Sequence, residues 1–524
     1  MPSALPRNPR RPLARRGRRS TVWMVAVLLA AAPLLAADEP VDETAIARIK
    51  TETFQRSQVM DTASRLTDVY GARLSGSPAL DAAAAWSRDR FREWGLAGAT
   101  LEPYDHRGRG WSVERFSAEM LAPQYARLDV HPLAWSPGLA APVRGTPVHV
   151  QVASPADFER YRGRLAGAIV LNGRLPEPRS RFEPEASRLS EEALRTRASA
   201  ISPTATGAAG SLREEDEEWA ASLERRKAIW QFFADERVAL VIEPSRFDQG
   251  VLGVSGFYDH VWQPTYPGFV MSREHYGRIT RLLALDVPVT LEVGLSARYH
   301  AREAPWSNVI AEIPGADPAI GREVVMVGAH LDSWHAGTGA TDNAAGAAVV
   351  MEAARVLAAM GTRPRRTIRF ALWTGEEQDY LGSRGYVRAH YSPADRAAPT
   401  TEHALLSAYF NLDNGTGRIR GVHMQGNEAV RPVFEAWLAP FAYLGATTVS
   451  TLNTGGTDHM AFDAAGLPAF QFICDPIDYD TETHHTSSDT FEALLEDDLK
   501  QASAVVASIL WHAAMRDERL PRKP

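Results

Sequence analysis

The sequence predicts an α/β fold, and three observations carry that reading. From Asn308 onward, apolar runs of strand length alternate with helical patterns. The runs Val309–Ile313, Val324–Gly328, Thr367–Trp373 and Leu405–Asn411 are almost continuously apolar, as strands buried on both faces of a parallel sheet are. Histidine and carboxylate residues follow several of these runs directly, where ligands of open α/β sheets bind. The chain has 524 residues, 45% of them hydrophobic. That is enough for a large core and too long for one ordinary domain, so roughly two to four domains are expected.

The first 37 residues stand apart. Arg7, Arg10, Arg11, Arg15, Arg16, Arg18 and Arg19 form a basic stretch, the segment from Thr21 to Leu35 is apolar apart from Pro33, and Ala36-Ala37 offers a small-residue cleavage point before Asp38. The pattern predicts a secretory signal over residues 1–37 and a secreted or periplasmic protein, without stable membrane insertion after cleavage. An uncleaved anchor is the alternative, but the run is short for a span of roughly 20 residues. No cysteine follows it, which argues against a lipoprotein anchor. Arg18-Arg19 would also suit a twin-arginine route, although the surrounding match is poor. Cys474 is the only cysteine, so an exported chain has no internal disulfide; its apolar neighbours Phe472 and Ile473 place it in a buried strand. Net charge is -7, with the basic residues beyond the N-terminus dispersed, which excludes a nucleic-acid surface.

After the leader, Ala45 to Tyr70 reads as helix, Gly71 to Pro78 as a turn, and Ala79 to Trp94 as an amphipathic helix closed by Gly95. In the middle third, Gly167–Gly173, Val238–Ile242 and Pro267–Met271 resemble strands. Residues 177–224 are rich in Arg, Glu, Ser and Ala and read as solvated helix and loop, Lys227–Ala234 as helix, and Ser272 as a helix cap with Glu274 near the start. Asn343 to Met360 is an Ala-rich helix ended by Gly361 and Pro364. No internal repeat is visible.

The chemistry sits in an ordered set: His330, Asp332, Asp342, Glu376, Glu377, Asp413 and His485. His330 follows the run ending at Ala329, and Asp332 is placed to accept a hydrogen bond from its ring. Asp342 precedes the Ala-rich helix and reads as an N-cap or as a ligand; Gly337, Gly339 and Gly346 around it indicate close backbone approach. Glu376 and Glu377 diverge at a strand end, so one can bind metal while the other faces a water; the bland reading of such a pair is surface charge. Asp413 follows another strand. His485 lies in Thr483–Asp489, where His484 is a rival ligand and Asp489 supports the loop or the imidazole. Two imidazoles and three carboxylates suit two divalent ions such as Zn²⁺. Metal binding brings the pKa of water from about 15.7 to about 7, making hydroxide available, and a free carboxylate can then carry its proton to a leaving amine.

The motifs Ala329-His-Leu-Asp-Ser-Trp334, Thr341-Asp-Asn-Ala-Ala-Gly346, Trp373-Thr-Gly-Glu-Glu-Gln378, Leu412-Asp413 and His485-Thr-Ser-Ser-Asp489 resemble the co-catalytic di-zinc exopeptidases. That family includes bacterial zinc aminopeptidases, glutamate carboxypeptidase and carboxypeptidase Q, the last with the most similar motif forms. The resemblance covers about residues 45–125 and 298–512. It implies a three-layer αβα catalytic domain with a mixed, largely parallel sheet (phosphorylase/hydrolase-like) and an inserted β-rich protease-associated domain. The implied boundaries are 38–128 and 298–515 for the catalytic domain, 129–297 for the insertion, and 516–524 for a tail.

The resemblance further implies two Zn²⁺ ions, with Asp342 bridging both, His330 and Asp413 completing one site, and Glu377 and His485 the other. It makes Glu376 the general base and Asp332 the residue that orients His330, and it implies a cis peptide between Asp342 and Asn343. The chain departs from the family at Asp379, where glycine is usual, at Thr457 in the Thr457-Asp-His459 segment, and in lacking the disulfide near the specificity pocket. His484 stands where a tyrosine often supports the oxyanion, which leaves that donor open. His459 is open to a role at the substrate or in structure.

The expected activity is hydrolysis of short peptides or dipeptides by an exported zinc exopeptidase, as aminopeptidase or as carboxypeptidase Q-like dipeptidase. Metal-dependent amidohydrolases and a glutaminyl cyclase share the fold, as do non-catalytic receptor-like proteins. The expected partner is a peptide substrate, with no nucleic acid. The middle domain is expected either to roof the pocket or to join two copies as a homodimer.

Overall fold

Eight strands of the computed structural model build the sheet that carries the site. The structure describes residues 39–523 except 107, 178–181, 183, 204–211, 258–261, 302–303 and 393–397, so the expected leader lies outside the described residues. The strands are β1 (Ala97–Pro103), β2 (Ser307–Ile313), β3 (Val324–His330), β4 (Thr367–Trp373), β5 (Leu406–Asn411), β6 (Ile419–His423), β7 (Thr448–Ser450) and β8 (Ala469–Cys474). Across the sheet they lie in the order β1-β2-β4-β3-β5-β8-β6-β7. The central four, β4, β3, β5 and β8, run parallel. β2 pairs antiparallel with β1 and β4, which corrects the parallel reading of Val309–Ile313. Its apolar run records burial on both faces, and burial does not encode direction.

Helices cover both faces, and the strand alternation shows how. Val325, Val327 and Ala329 of β3 face a core shared with helices Glu43–Gln55, Pro78–Glu93, Ala345–Ala359 and Glu496–Met515. Val324 and Met326 face the other way, onto Tyr386, Val387 and Phe462 from helices Leu381–His390 and His459–Ala464. Period-two side chains thus feed two separate cores, giving a three-layer αβα arrangement. Ala345–Ala359 is buried through nearly its whole length; its small residues let it lie against β3 and between the flanking helices. Among the described residues, no helix is long and apolar enough to cross a membrane.

Two helix boundaries differ from the sequence reading in ways that matter. Ala45–Tyr70 is broken: helix Glu43–Gln55 ends, and Val59–Ser64 follows, continued by a wider π turn over Arg65–Val69. At the break, the Ser57 hydroxyl and the Gln58 N–H both donate to the buried Glu352 carboxylate. The Ala-rich helix begins at Ala345 rather than Asn343, because Asp342 and Asn343 have extended φ values of -133° and -137°. Asp342 therefore does not cap this helix, and its carboxylate is free for other work.

The middle of the chain forms two smaller sheets. Gly110–Ala122 and Thr290–His300 run antiparallel as a long ribbon, flanked by Ala126–Arg127 and Val143–Gly145. A five-stranded sheet contains the three expected middle strands, observed as Ile169–Asn172, Leu240–Pro244 and Gly268–Met271, which lie parallel beside one another. Helix Arg273–Ala284 packs Tyr276 and Ile279 onto the same core as these strands. Ser272 precedes it, but its hydroxyl meets the His275 ring instead of capping the main chain. The charged segment contains helices Glu191–Ala198 and Leu212–Asp235, the second running through the expected Lys227–Ala234.

Candidate metal centre

The carboxyl ends of the four parallel strands deliver the candidate ligands. His330 is the last residue of β3, Glu376 and Glu377 follow β4, Asp413 follows β5, and His485 lies in the loop beyond β8. His330 Nε2 stands 3.1 Å from Asp342 Oδ1 and 3.6 Å from Asp413 Oδ1. His485 Nε2 stands 3.1 Å from Asp342 Oδ2 and 3.0 Å from Glu377 Oε2. The two oxygens of Asp342 thus face different imidazoles, which is the arrangement a shared ligand needs. The Asp342–Asn343 peptide is cis.

Burial tests whether these residues suit a cation. His330 Nε2, Asp342 Oδ2 and Glu377 Oε1 are buried atoms without a hydrogen-bond partner. Buried polar atoms are normally paired, and several unpaired ones converging on one another fit a missing positive charge. The protonation pattern agrees. Burial opposes charge on Asp342, but the adjacent His330 and His485 rings hold its carboxyl well below the usual range. Burial also opposes charge on His485, yet Glu377 and Asp342 push its ring up to about 10. A group of acids that draws protons onto imidazoles in this way would hold a metal in the protons' place.

Candidate atoms of His330, Asp342 and Asp413 all lie within 4.8 Å of one another, as do those of Asp342, His484 and His485 and those of His330, Glu376 and Glu377. The first group matches one expected site. In the second, His484 Nε2 is 3.9 Å from Asp342 Oδ2, further than His485, and its ring stacks on Tyr479. Glu376 is mostly buried, and its carboxylate makes no hydrogen bond or ion pair with a described residue. Burial pushes that carboxyl well above the usual range; His330 pulls it down, while Asp413 and Asp458 add to the rise.

Asp332 meets His330 more closely through its main chain than through its side chain. His330 Nδ1 is 3.0 Å from the main-chain carbonyl of Asp332 and 3.7 Å from its carboxylate. The carboxylate instead accepts from the Ser75 hydroxyl at 2.8 Å and from the N–H groups of Glu376 and Glu377, each at 3.3 Å. One residue therefore aims the histidine with its backbone and anchors the Glu-Glu turn with its side chain. Asp489 supports the loop and not the imidazole: its Oδ1 accepts from Thr341 N–H at 2.5 Å. A Cβ on Gly337 would fall 2.5 Å from the Asp489 carbonyl, so this crossing of loops requires glycine. His459 is fully buried, its ring against the Thr454 carbonyl and the Gln425 amide, which gives it a structural role. Cys474 is buried at the end of β8, and burial pushes its thiol up.

Two supports were invisible in the sequence. Arg73 is fully buried, and its guanidinium donates to the carbonyls of Leu331, Leu66, Gly71, Thr338 and Gly339. It ties the loop after His330 to the loop before Asp342. Burial lowers it to about 10, so it stays charged at neutral pH. The second support comes from the middle region. Val254 N–H donates to the His485 carbonyl and Ser487 N–H to the Leu252 carbonyl, each at 2.9 Å, gripping the His485 loop where φ is +58°. Arg73→Met is expected to cost about 3–5 kcal/mol, the range for breaking a buried charged network, and to lower metal affinity with it. Urea unfolding and zinc titration read the two effects, and stability within about 1 kcal/mol of the parent would contradict the assigned role.

This set of converging imidazoles and carboxylates on an αβα sheet defines a metal-dependent hydrolase. Residues 308–510 match the model of peptidase family M28. Human carboxypeptidase Q is 27% identical over 459 residues, covering 87% of this chain and 85% of the relative. The solved peptidase M28 precursor from Shewanella amazonensis SB2B is similar in fold, with a TM-score of 0.66 at 24% identity over 92% of this chain and 98% of that one. A zinc aminopeptidase from Bacillus subtilis, BSAP, gives a TM-score of 0.57 at 18% identity, covering 89% and 97%.

Proposed function

We propose that the protein is an exported zinc exopeptidase that hydrolyses short peptides or dipeptides. The observation that carries this reading is the paired arrangement around Asp342, with unpartnered buried atoms facing inward and Glu376 close by but unbonded. His330 and Asp413 would hold one zinc ion, Glu377 and His485 the second, and Asp342 both. Zinc bound there supplies a Lewis acid for the scissile carbonyl and a lower pKa for the attacking water. The Glu376 carboxylate takes the proton of that water and passes it to the leaving nitrogen. Its raised pKa suits a proton carrier, and cations bound nearby would lower it.

We further propose that residues 129–297 form an inserted domain that limits substrate length. Its main chain at Leu252–Val254 grips the His485 loop, and its helix Glu191–Ala198 borders a cleft beside the centre. Dialysis against a chelator is expected to abolish hydrolysis, and zinc to restore it as loading approaches two ions per chain. Full activity at one ion would remove the two-ion part of the reading. Mass spectrometry of digests of N- and C-terminally blocked peptides would show which end is trimmed. N-acyl amino acids and peptides with N-terminal Gln in the same panel separate the amidohydrolase and cyclase alternatives.

A further inference from the structure

A cleft of about 860 Å³ opens beside the candidate centre, lined in part by Arg197, Asn414, His423, Asn453, Thr454 and His484. Two of these residues are the immediate neighbours of candidate ligands, Asn414 of Asp413 and His484 of His485. A smaller adjoining cavity of about 220 Å³ shares Arg197, Asn414, His423 and Thr454. The space is therefore continuous with the flank of the candidate centre, and several polar side chains line it.

Arg197 is the cation in this wall. It lies on helix Glu191–Ala198, partly buried, and its guanidinium makes no hydrogen bond or ion pair with a described residue. Its backbone is held separately, by the Ser450 hydroxyl donating to the Arg197 carbonyl at 2.9 Å. Glu192 lines the same cleft but is exposed and does not pair with it. Around the guanidinium are further unmatched polar atoms. The His423 Nδ1 and the Asn453 Oδ1 are both buried and without partners. Burial, with Arg197 adding to it, pushes the His423 ring down to about 4, so it is neutral at physiological pH. A partly desolvated guanidinium without an anion is unfavourable, and its planar fork matches a carboxylate better than any other common group.

We propose that Arg197 is a specificity residue that binds a carboxylate of the substrate in this cleft. The carboxylate is either the free C-terminal group of a dipeptide or the side chain of an acidic residue. The inference rests on the peptidase reading above. It explains why the helix that supplies Arg197 comes from the middle region: a peptide's charged group would be read by a part of the chain separate from the metal ligands.

The test is isothermal titration of zinc-loaded Glu376→Gln protein, which keeps the metal ligands, with and without Arg197→Gln. The probes are Ala-Ala against Ala-Ala amide, and Glu-Ala amide against Gln-Ala amide. Arg197→Gln is expected to weaken the carboxylate member of one pair by about 10-fold or more, as loss of a charge-assisted pair does, and to leave the neutral members within about 2-fold. The pair affected identifies which carboxylate is bound. Arg197→Lys should recover part of the loss. Equal weakening of all four probes, or of none, overturns the proposal. If the zinc-loaded parent hydrolyses no peptide, the peptidase reading fails, and the titration still decides whether Arg197 binds a carboxylate.

Discussion

Glu376→Gln is expected to lower kcat by about 10²–10⁴-fold while leaving the zinc content and the fold unchanged. The amide has nearly the shape of the carboxylate but cannot accept the proton of the attacking water. Nothing structural depends on that side chain, because its carboxylate bonds to no described residue, and the turn that carries it is held by main-chain N–H groups on Asp332. Metal analysis, circular dichroism and steady-state kinetics on one preparation distinguish the outcomes. Turnover within a few-fold of the parent, with zinc retained, would remove Glu376 as the base. Loss of zinc together with activity would instead make it a ligand beside His330 and Glu377.

Asp342→Ala is expected to weaken binding of both ions, not one. Each oxygen of Asp342 faces a different imidazole, at 3.1 Å in both cases. Removing a supporting residue of a metal site typically costs about 10–100-fold in affinity, and removing a direct shared ligand should cost at least that at each position. The comparison is Asp413→Ala, whose oxygen lies near His330 and not His485, and which should spare the second ion. Zinc stoichiometry by competition with a chromophoric chelator reads this directly. If Asp342→Ala loses one ion and keeps the other at full affinity, the shared-ligand geometry is wrong.

Much of this centre was legible from residue order. His330, Glu376, Glu377 and Asp413 each end a buried apolar run, and a parallel sheet collects such ends at one edge. Asp342 and His485 were legible as residue types in glycine- and threonine-rich loops, but their positions depend on contacts a sequence does not display. Of the two readings of Asp342, N-cap or ligand, the N-cap falls away because the helix starts only at Ala345, after two extended residues. The Asp332 carbonyl, 3.0 Å from the His330 ring against 3.7 Å for the carboxylate, is the nearer acceptor, and only the folded loop shows this. Arg73 gave no signal at all. It lies in a turn sequence, and its five partners are carbonyls, which every residue has.

By itself, then, the sequence determined the α/β class, the types of the candidate metal-binding side chains and which Glu-Glu pair ends a strand. These follow from local patterns of apolar and ionisable residues, which burial imposes along the chain. Only the tertiary structure decided that β2 runs antiparallel, that Asp332 anchors the Glu376–Glu377 turn, and that Leu252–Val254 of the middle region grips the His485 loop. It also decided that Arg197 reaches the cleft beside the centre. The physical reason is common to all four. Each is made by hydrogen bonds or packing between segments far apart in the chain, often through main-chain groups that carry no residue identity.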